Sequence, residues 1–360
     1  LGIKVDKSKL TITYLPTGTY RISDTLRAVQ GVVNPRGRGR RWRNDDYPCV
    51  LWGDTGGGRR TRLVLSDSAP GYGNPRRPKC MIFLTARNWR EPYNLQPNVS
   101  FNQLIIGIDL DLGEHNPGAI GIDHQGAQGS MTIDVHVDAS GGFAGFRGMS
   151  GSGGGLFHVS VTGGRYGLYL GPGWELDLQS GGQPAPAAAD VTLRGQSRQS
   201  VFYTGRGPLT LVGADITGAG MRLQGGSWGP WNGALNLVDS VLRYKGDGPA
   251  ISGNRPVYLE NSYVRDAHVV CNVSNTPPLR GTGDGWTRID EYAGGTNRDY
   301  PLWLDGTRRT DPLVSVERNA DPPPSDLRVR HVSDNPPVSW QAEDAVNVRT
   351  DYGARGDDET

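Results

Sequence analysis

Apolar residues in this chain come in short runs rather than long stretches. Met131–Val137, Leu156–Val161, Val191–Arg194, Leu209–Val212, Leu235–Val238 and Val257–Glu260 each alternate apolar with polar side chains over a few residues. That period of two belongs to β-strands with one buried face, and no stretch carries the 3.6-residue period of an amphipathic helix. Gly, Asn, Asp and Ser punctuate the runs, as tight turns require. Successive starts lie 25, 35, 18, 26 and 22 residues apart, and Trp174–Leu178 divides the interval of 35 into 18 and 17. A period near 20 residues with two or three strands per turn predicts an all-β solenoid, a right-handed parallel β-helix. No coil of such a fold buries its own apolar face, so stacking must supply the core. Three runs pivot through an acidic or amide residue, at Asp215, Asp239 and Asn261, and such residues tolerate a left-handed bend.

The pattern divides the chain into four parts. Residues 1–100 hold strands with long Gly/Pro/Arg loops, and residues 101–267 form the regular solenoid. Residues 268–335 are a loop-rich capping or linking segment, with Trp286 and Trp303 expected to cover the solenoid end. Residues 336–360 read as a linker and the start of a second β-helix.

Composition agrees. Gly accounts for 53 of 360 residues, about twice the usual share. Nine Trp and fourteen Tyr argue against a disordered chain. The formal net charge of +1 provides no field for nucleic acid, and the basic run Arg36–Arg43 reads as a solvated loop. No apolar run is long enough to cross a membrane. Cys49, Cys80 and Cys271 have no metal-type spacing; Cys49 and Cys80 either pair across neighbouring coils or stay buried as free thiols. No metal site or cofactor is expected.

Several polar positions are candidates for chemistry. Asp109 and Asp111 alternate on one strand and therefore share a face, which reads mainly as an exposed polar face. Asp123 shares a strand side with Gln125 and is the better groove carboxylate. Asp134, His136 and Asp138 alternate with Ile133, Val135 and Val137 and mark the outward face of the next strand. Trp174, Trp228 and Trp231 lie in Gly-rich turns where an indole can stack on a sugar ring, with Glu175 beside the first.

Two segments resemble a known family. Leu15-Pro-Thr-Gly-Thr-Tyr-Arg-Ile22 looks like the coil that opens β-helices of the pectate-lyase superfamily, and Val346–Asp357 resembles that superfamily's entry motif. Two β-helices in one chain is the layout of glycoside hydrolase family 55, the β-1,3-glucanases. Gly121–Met131 is similar to that family's coil with paired glutamines. The resemblance implies a secreted, polysaccharide-active protein, an inverting glycosidase in which Gln125 and Gln128 place the water. Asp123, His124, Trp174, Glu175, Trp228 and Trp231 would bind substrate. It also implies that the proton donor lies in the second β-helix, the partner domain. A non-catalytic, tailspike-like glycan binder and a pectate-type lyase are the alternatives.

Overall fold

The structure, a computed structural model, describes residues 11–30, 49–56, 59–86, 95–170, 185–225, 232–295, 301–331 and 350–351. Among these the fold is almost wholly β, with short 3₁₀ turns at Pro97–Val99 and Val329–His331. Two large sheets dominate, one of fifteen strands (sheet I) and one of ten (sheet II). The chain alternates between them. Leu104–Asp111, Met131–Asp138, Gly155–Thr162 and Ala187–Arg194 lie in sheet I. Ala119–His124, Ala144–Gly148 and Tyr166–Leu170 lie between them in sequence and belong to sheet II. Each strand pairs in parallel with its counterpart one coil later.

In-register stacking builds the core. One ladder runs Ile105, Thr132, Leu156, Ala188, Leu211, Leu237 and Leu259, all buried. A second runs from Leu110 through Val137, Val161, Leu193, Ile216 and Leu242 to Val264. Each buried aliphatic side chain removes apolar surface from water worth about 1.5–3 kcal/mol. Only the neighbouring coil provides that burial, so stability is a property of the stack.

A third ladder marks the bend within sheet I. Gly107, Asp134, His158, Asp190, Gly213, Asp239 and Asn261 all have positive φ, between 43° and 65°. The bends expected at Asp239 and Asn261 are therefore present, but in the third run Gly213 takes the left-handed position instead of Asp215. The extra residue also shifts the strand's parity. In Met131–Asp138 the buried positions are Thr132, Val135 and Val137, whereas Ile133 is half-buried. The simple alternation read from the sequence fails there because a left-handed residue consumes one position without crossing the sheet. Replacing Asn261 by Val at φ 43° should cost about 1–3 kcal/mol in denaturant unfolding. An unchanged midpoint would mean that the bend carries no strain penalty.

Two further readings change. Phe157 pairs directly with Ala189, so the interval of 35 residues is one coil with an insertion, not two coils. Cys49 lies in sheet I and Cys80 in sheet II, and none of the three cysteines is in a disulfide. Strands on different sheets do not stack, which keeps Cys49 and Cys80 from pairing. Beyond residue 267, Trp286–Gly294 pairs antiparallel with Val257–Arg265, and Leu313–Ala320 adds antiparallel to it. Trp286 is buried with Arg243 and Arg265 over its ring, whereas Trp303 is 64% exposed.

Candidate functional site

The outer face of sheet II gathers most of the groups suited to recognition. Parallel register places one residue type above another from coil to coil. Arg27, Phe83 and Asp123 stack in one row. Further along, Tyr169, Phe202, Arg222, Ser252 and Asn272 stack in the same way. A second row runs Cys80, Ile120, Ala144, Tyr166 and Gln199.

The aromatic part is compact. Phe143, Tyr166 and Tyr169 have ring centroids 4.8–5.2 Å apart, and Tyr169 stacks on Phe202 at 5.2 Å with 22° between planes. Gly167 between the two tyrosines keeps the strand thin, since a Cβ there would meet the Ser200 carbonyl and the Leu193 side chain. Burial pushes the Tyr169 hydroxyl up to about 12, with Tyr166 adding to the shift and Arg147 opposing it. Tyr166 and Phe202 remain half-buried. The aromatic row leads into a cleft of about 530 Å³ lined by Arg222, Gln224, Ser252, Asn254, Asn272 and Ser274. Guanidinium, amide and hydroxyl groups are the donors and acceptors that match sugar hydroxyls.

At the other end of the row stands Asp123. It is fully buried; Gln125 Nε2 donates to its Oδ1 at 2.5 Å and Arg147 donates to its Oδ2. Gly148 permits this packing, because a Cβ there would lie 2.5 Å from Asp123 Oδ1 and 2.6 Å from Gln125 Nε2. A carboxylate accepting on both oxygens is arranged to stabilise positive charge rather than to donate a proton.

The structure brings Asp123 and Gln125 together but separates Gln125 from Gln128. Gln125 is 1% exposed, whereas Gln128 is exposed in the turn before Met131 and its carbonyl accepts from Asn102 N–H. The expected pair of water-positioning amides is not formed, because the chain turns between them. His124 faces inward, the opposite side to Asp123, and its Nδ1 lies 3.0 Å from Thr132 Oγ1 and 3.2 Å from Ser150 Oγ. It therefore has no access to a ligand on the outer face, a consequence of strand alternation. Trp174, Glu175, Trp228 and Trp231 lie outside the described residues, as does nearly all of 336–360. Asp109 and Asp111 are paired with Arg60 and Arg62, at 2.7 and 2.6 Å, and form a polar outer face on sheet I.

Sequence reading missed Tyr166, Tyr169, Phe202 and Arg222. Tyr166-Gly-Leu-Tyr-Leu170 forms a strand, but its aromatic neighbour Phe202 comes from the next coil. The sequence also did not reveal that Arg328 reaches Asp190 and Asp215, or that Arg330 and His331 reach Asp239. These contacts span more than 90 residues.

No family model matches the chain, and no curated protein matches it. Among solved structures it is similar to the catalytic domain of a GH87 alpha-1,3-glucanase in complex with nigerose, at 12% identity and a TM-score of 0.28. A variant of that catalytic domain, also with nigerose, gives 14% identity and a TM-score of 0.30. Both alignments cover 78% of this chain and 65% of the other. At scores this low nothing functional follows from the likeness.

Proposed function

We propose that this chain is a right-handed parallel β-helix of an extracellular, polysaccharide-active protein, and that a sugar polymer lies along the outer face of sheet II. The observation that carries this reading is the row of half-buried rings at Tyr166 and Phe202 leading into the cleft of Arg222, Ser252 and Asn272. Rings stack on the apolar faces of pyranoses, and the polar cleft meets their hydroxyls. Consecutive coils repeat every ~4.8 Å, so the surface is a track rather than a point. A second β-helix in the same protein would extend the track.

Affinity electrophoresis through gels containing β-1,3-glucan, α-1,3-glucan or pectin tests the proposal. At least one polymer should retard the protein, and Phe202→Ala should weaken that retention about tenfold. Asn272→Ala, on an exposed side chain, should weaken it without disturbing the fold. Equal mobility in every gel, or full retention by both variants, would reject the glycan track.

The glycosidase reading is favoured by one observation, the buried Asp123 held by Arg147 and Gln125 at the end of the row. In that reading Asp123, itself without exposure, holds Arg147 at the edge of the track, where the guanidinium meets the sugar. New reducing ends from the retained polymer, lost in Gln125→Ala, would support it. Binding without new reducing ends would leave a glycan-binding module.

A further inference from the structure

Sheet I carries a different chemistry. On the left-handed ladder Asp134, His158 and Asp190 occupy three consecutive coils, and their side chains are stacked by register. His136, two residues after Asp134, joins them. Asp134 Oδ1 lies 3.5 Å from His136 Nε2 and 3.7 Å from His158 Nε2. One ligand atom from each of the three residues falls within 4.8 Å of the others.

We infer that Asp134, His136 and His158 form a binding site for a divalent transition-metal ion of the zinc class. Three aspects of the geometry support this. First, the donor set is two imidazoles and a carboxylate, which suits Zn²⁺ and not Ca²⁺, an ion that prefers oxygen ligands throughout. Tetrahedral ligands at ~2.0–2.1 Å from zinc stand about 3.3 Å apart, close to the spacings between Oδ1 and the two rings. Second, each imidazole is oriented by its other nitrogen. His136 Nδ1 lies 2.8 Å from Ser160 Oγ, and His158 Nδ1 lies 2.5 Å from Asp190 Oδ2. When Nδ1–H donates in each case, both Nε2 lone pairs face Asp134 Oδ1. A carboxylate behind a histidine is the usual support of a metal ligand. Third, Arg60 binds Asp134 through Oδ2 and the main-chain carbonyl, leaving Oδ1 to the histidines.

Asp109 and Asp134 share Arg60, two carboxylates on one guanidinium, whereas Asp190 and Asp215 are met by Arg328, Arg194 and Arg243. Farther along sheet I, Asp215 and Asp239 are covered by Arg328, Arg330 and His331. Among the described residues that cover stops at Asp134 and His158. The histidine side chains are 38% and 37% exposed, which leaves the fourth coordination position open to solvent.

The test is calorimetric titration of the untagged chain with Zn²⁺, repeated with Co²⁺ while following its visible ligand-field bands. One saturable equivalent is expected, with Co²⁺ bands of a four- or five-coordinate site. His136→Ala and His158→Ala should each remove that equivalent while circular dichroism stays native. Asp190→Asn keeps all three ligands and should weaken binding 10–100-fold, the cost of losing a supporting carboxylate. Absence of a saturable equivalent would overturn the proposal. So would an equivalent that survives both histidine variants, since the ion would then sit elsewhere.

Discussion

Arg255→Ala should destabilise the protein by about 3–5 kcal/mol, because it takes the donor from several buried carbonyls at about 1–3 kcal/mol each. Arg255 is 1% exposed and lies between the strands Ile251–Gly253 and Val257–Arg265. Its Nε donates to the Gln224 carbonyl at 2.9 Å. Its terminal nitrogens reach the carbonyls of Gly205, Gly207 and Gly233 and the Asn232 side chain. The guanidinium also sits over the Tyr203 ring, 4.5 Å from its centroid. One side chain thus satisfies carbonyls of the two preceding turns, one after Gln199–Tyr203 and one after Met221–Leu223. A Cβ at Gly233 would meet Pro208 N at 2.2 Å and the Gly207 carbonyl carbon at 2.3 Å, so glycine there lets the two turns pack together beneath the guanidinium. Burial pushes the neighbouring Tyr203 hydroxyl up to about 12, the nearby Arg255 charge only partly opposing this, so it stays a donor to Gly207.

In Arg255→Ala the carbonyls of Gly205, Gln224 and Gly233 lose this donor, at about 1–3 kcal/mol for each left unsatisfied, while Gly207 keeps Tyr203. Arg255→Lys keeps the charge but not the fork, and should recover less than half of the loss. Urea unfolding of the three proteins measures this. Because coils contact only their neighbours, the Ala variant should also unfold in separable steps about this point. A loss under 1 kcal/mol would show that water replaces the guanidinium without penalty.

The second large effect depends on pH. His124 is fully buried, and burial pushes its pKa down to about 3. Its Nε2 has no hydrogen-bond partner. In the unfolded chain the imidazole titrates near ~6.5. Above that pH both states are neutral and His124 contributes no pH dependence. Below it the unfolded state takes up a proton that the folded state refuses, so stability falls as pH falls. The slope is about 1.4 kcal/mol per pH unit down to about 3. At pH 5 the loss is about 2 kcal/mol relative to pH 7.

Depressed carboxylates act lower down. Partial burial raises Asp134, but the His136 and Arg60 side chains together outweigh it and hold the acid well below its usual range. At Asp239 burial is the largest single effect and raises the acid, but His331, Asn261 and Arg330 together outweigh it and hold it low. Their stabilisation is complete above the unfolded carboxylate pKa of ~3.9 and is lost as pH falls through the folded values. Between pH 6.5 and 5, then, the His124 effect can be isolated. The difference in unfolding free energy between pH 7 and pH 5 should shrink by about 2 kcal/mol in His124→Gln. An equal difference in both proteins would place the acid sensitivity elsewhere.

Much of the architecture was legible along the chain. Short β-branched runs spaced by Gly, Asn and Asp define stacked strands, and the amide and acid at Asn261 and Asp239 mark left-handed bends that their side chains tolerate. These are local properties, decided by steric limits on φ and by side-chain alternation. The candidate site was less legible. Asp123 and Gln125 were recognisable as neighbours because they share a strand side, but Gln128 was not separable from them without the turn.

What only the tertiary structure decided is register between coils. Stacking brings Phe202 onto Tyr169, residues 33 apart, and Asp190 onto His158, residues 32 apart. It places Arg255 over carbonyls up to 50 residues away. An insertion lengthens one coil to 32 residues, and a left-handed bend shifts the face of every residue after it. Neither changes the local pattern enough to be counted from the sequence. The sequence by itself determined that coils form and, at Asp239 and Asn261, where they bend. Which side chains meet was left to the stack, because only the burial of one coil against the next distinguishes one register from another.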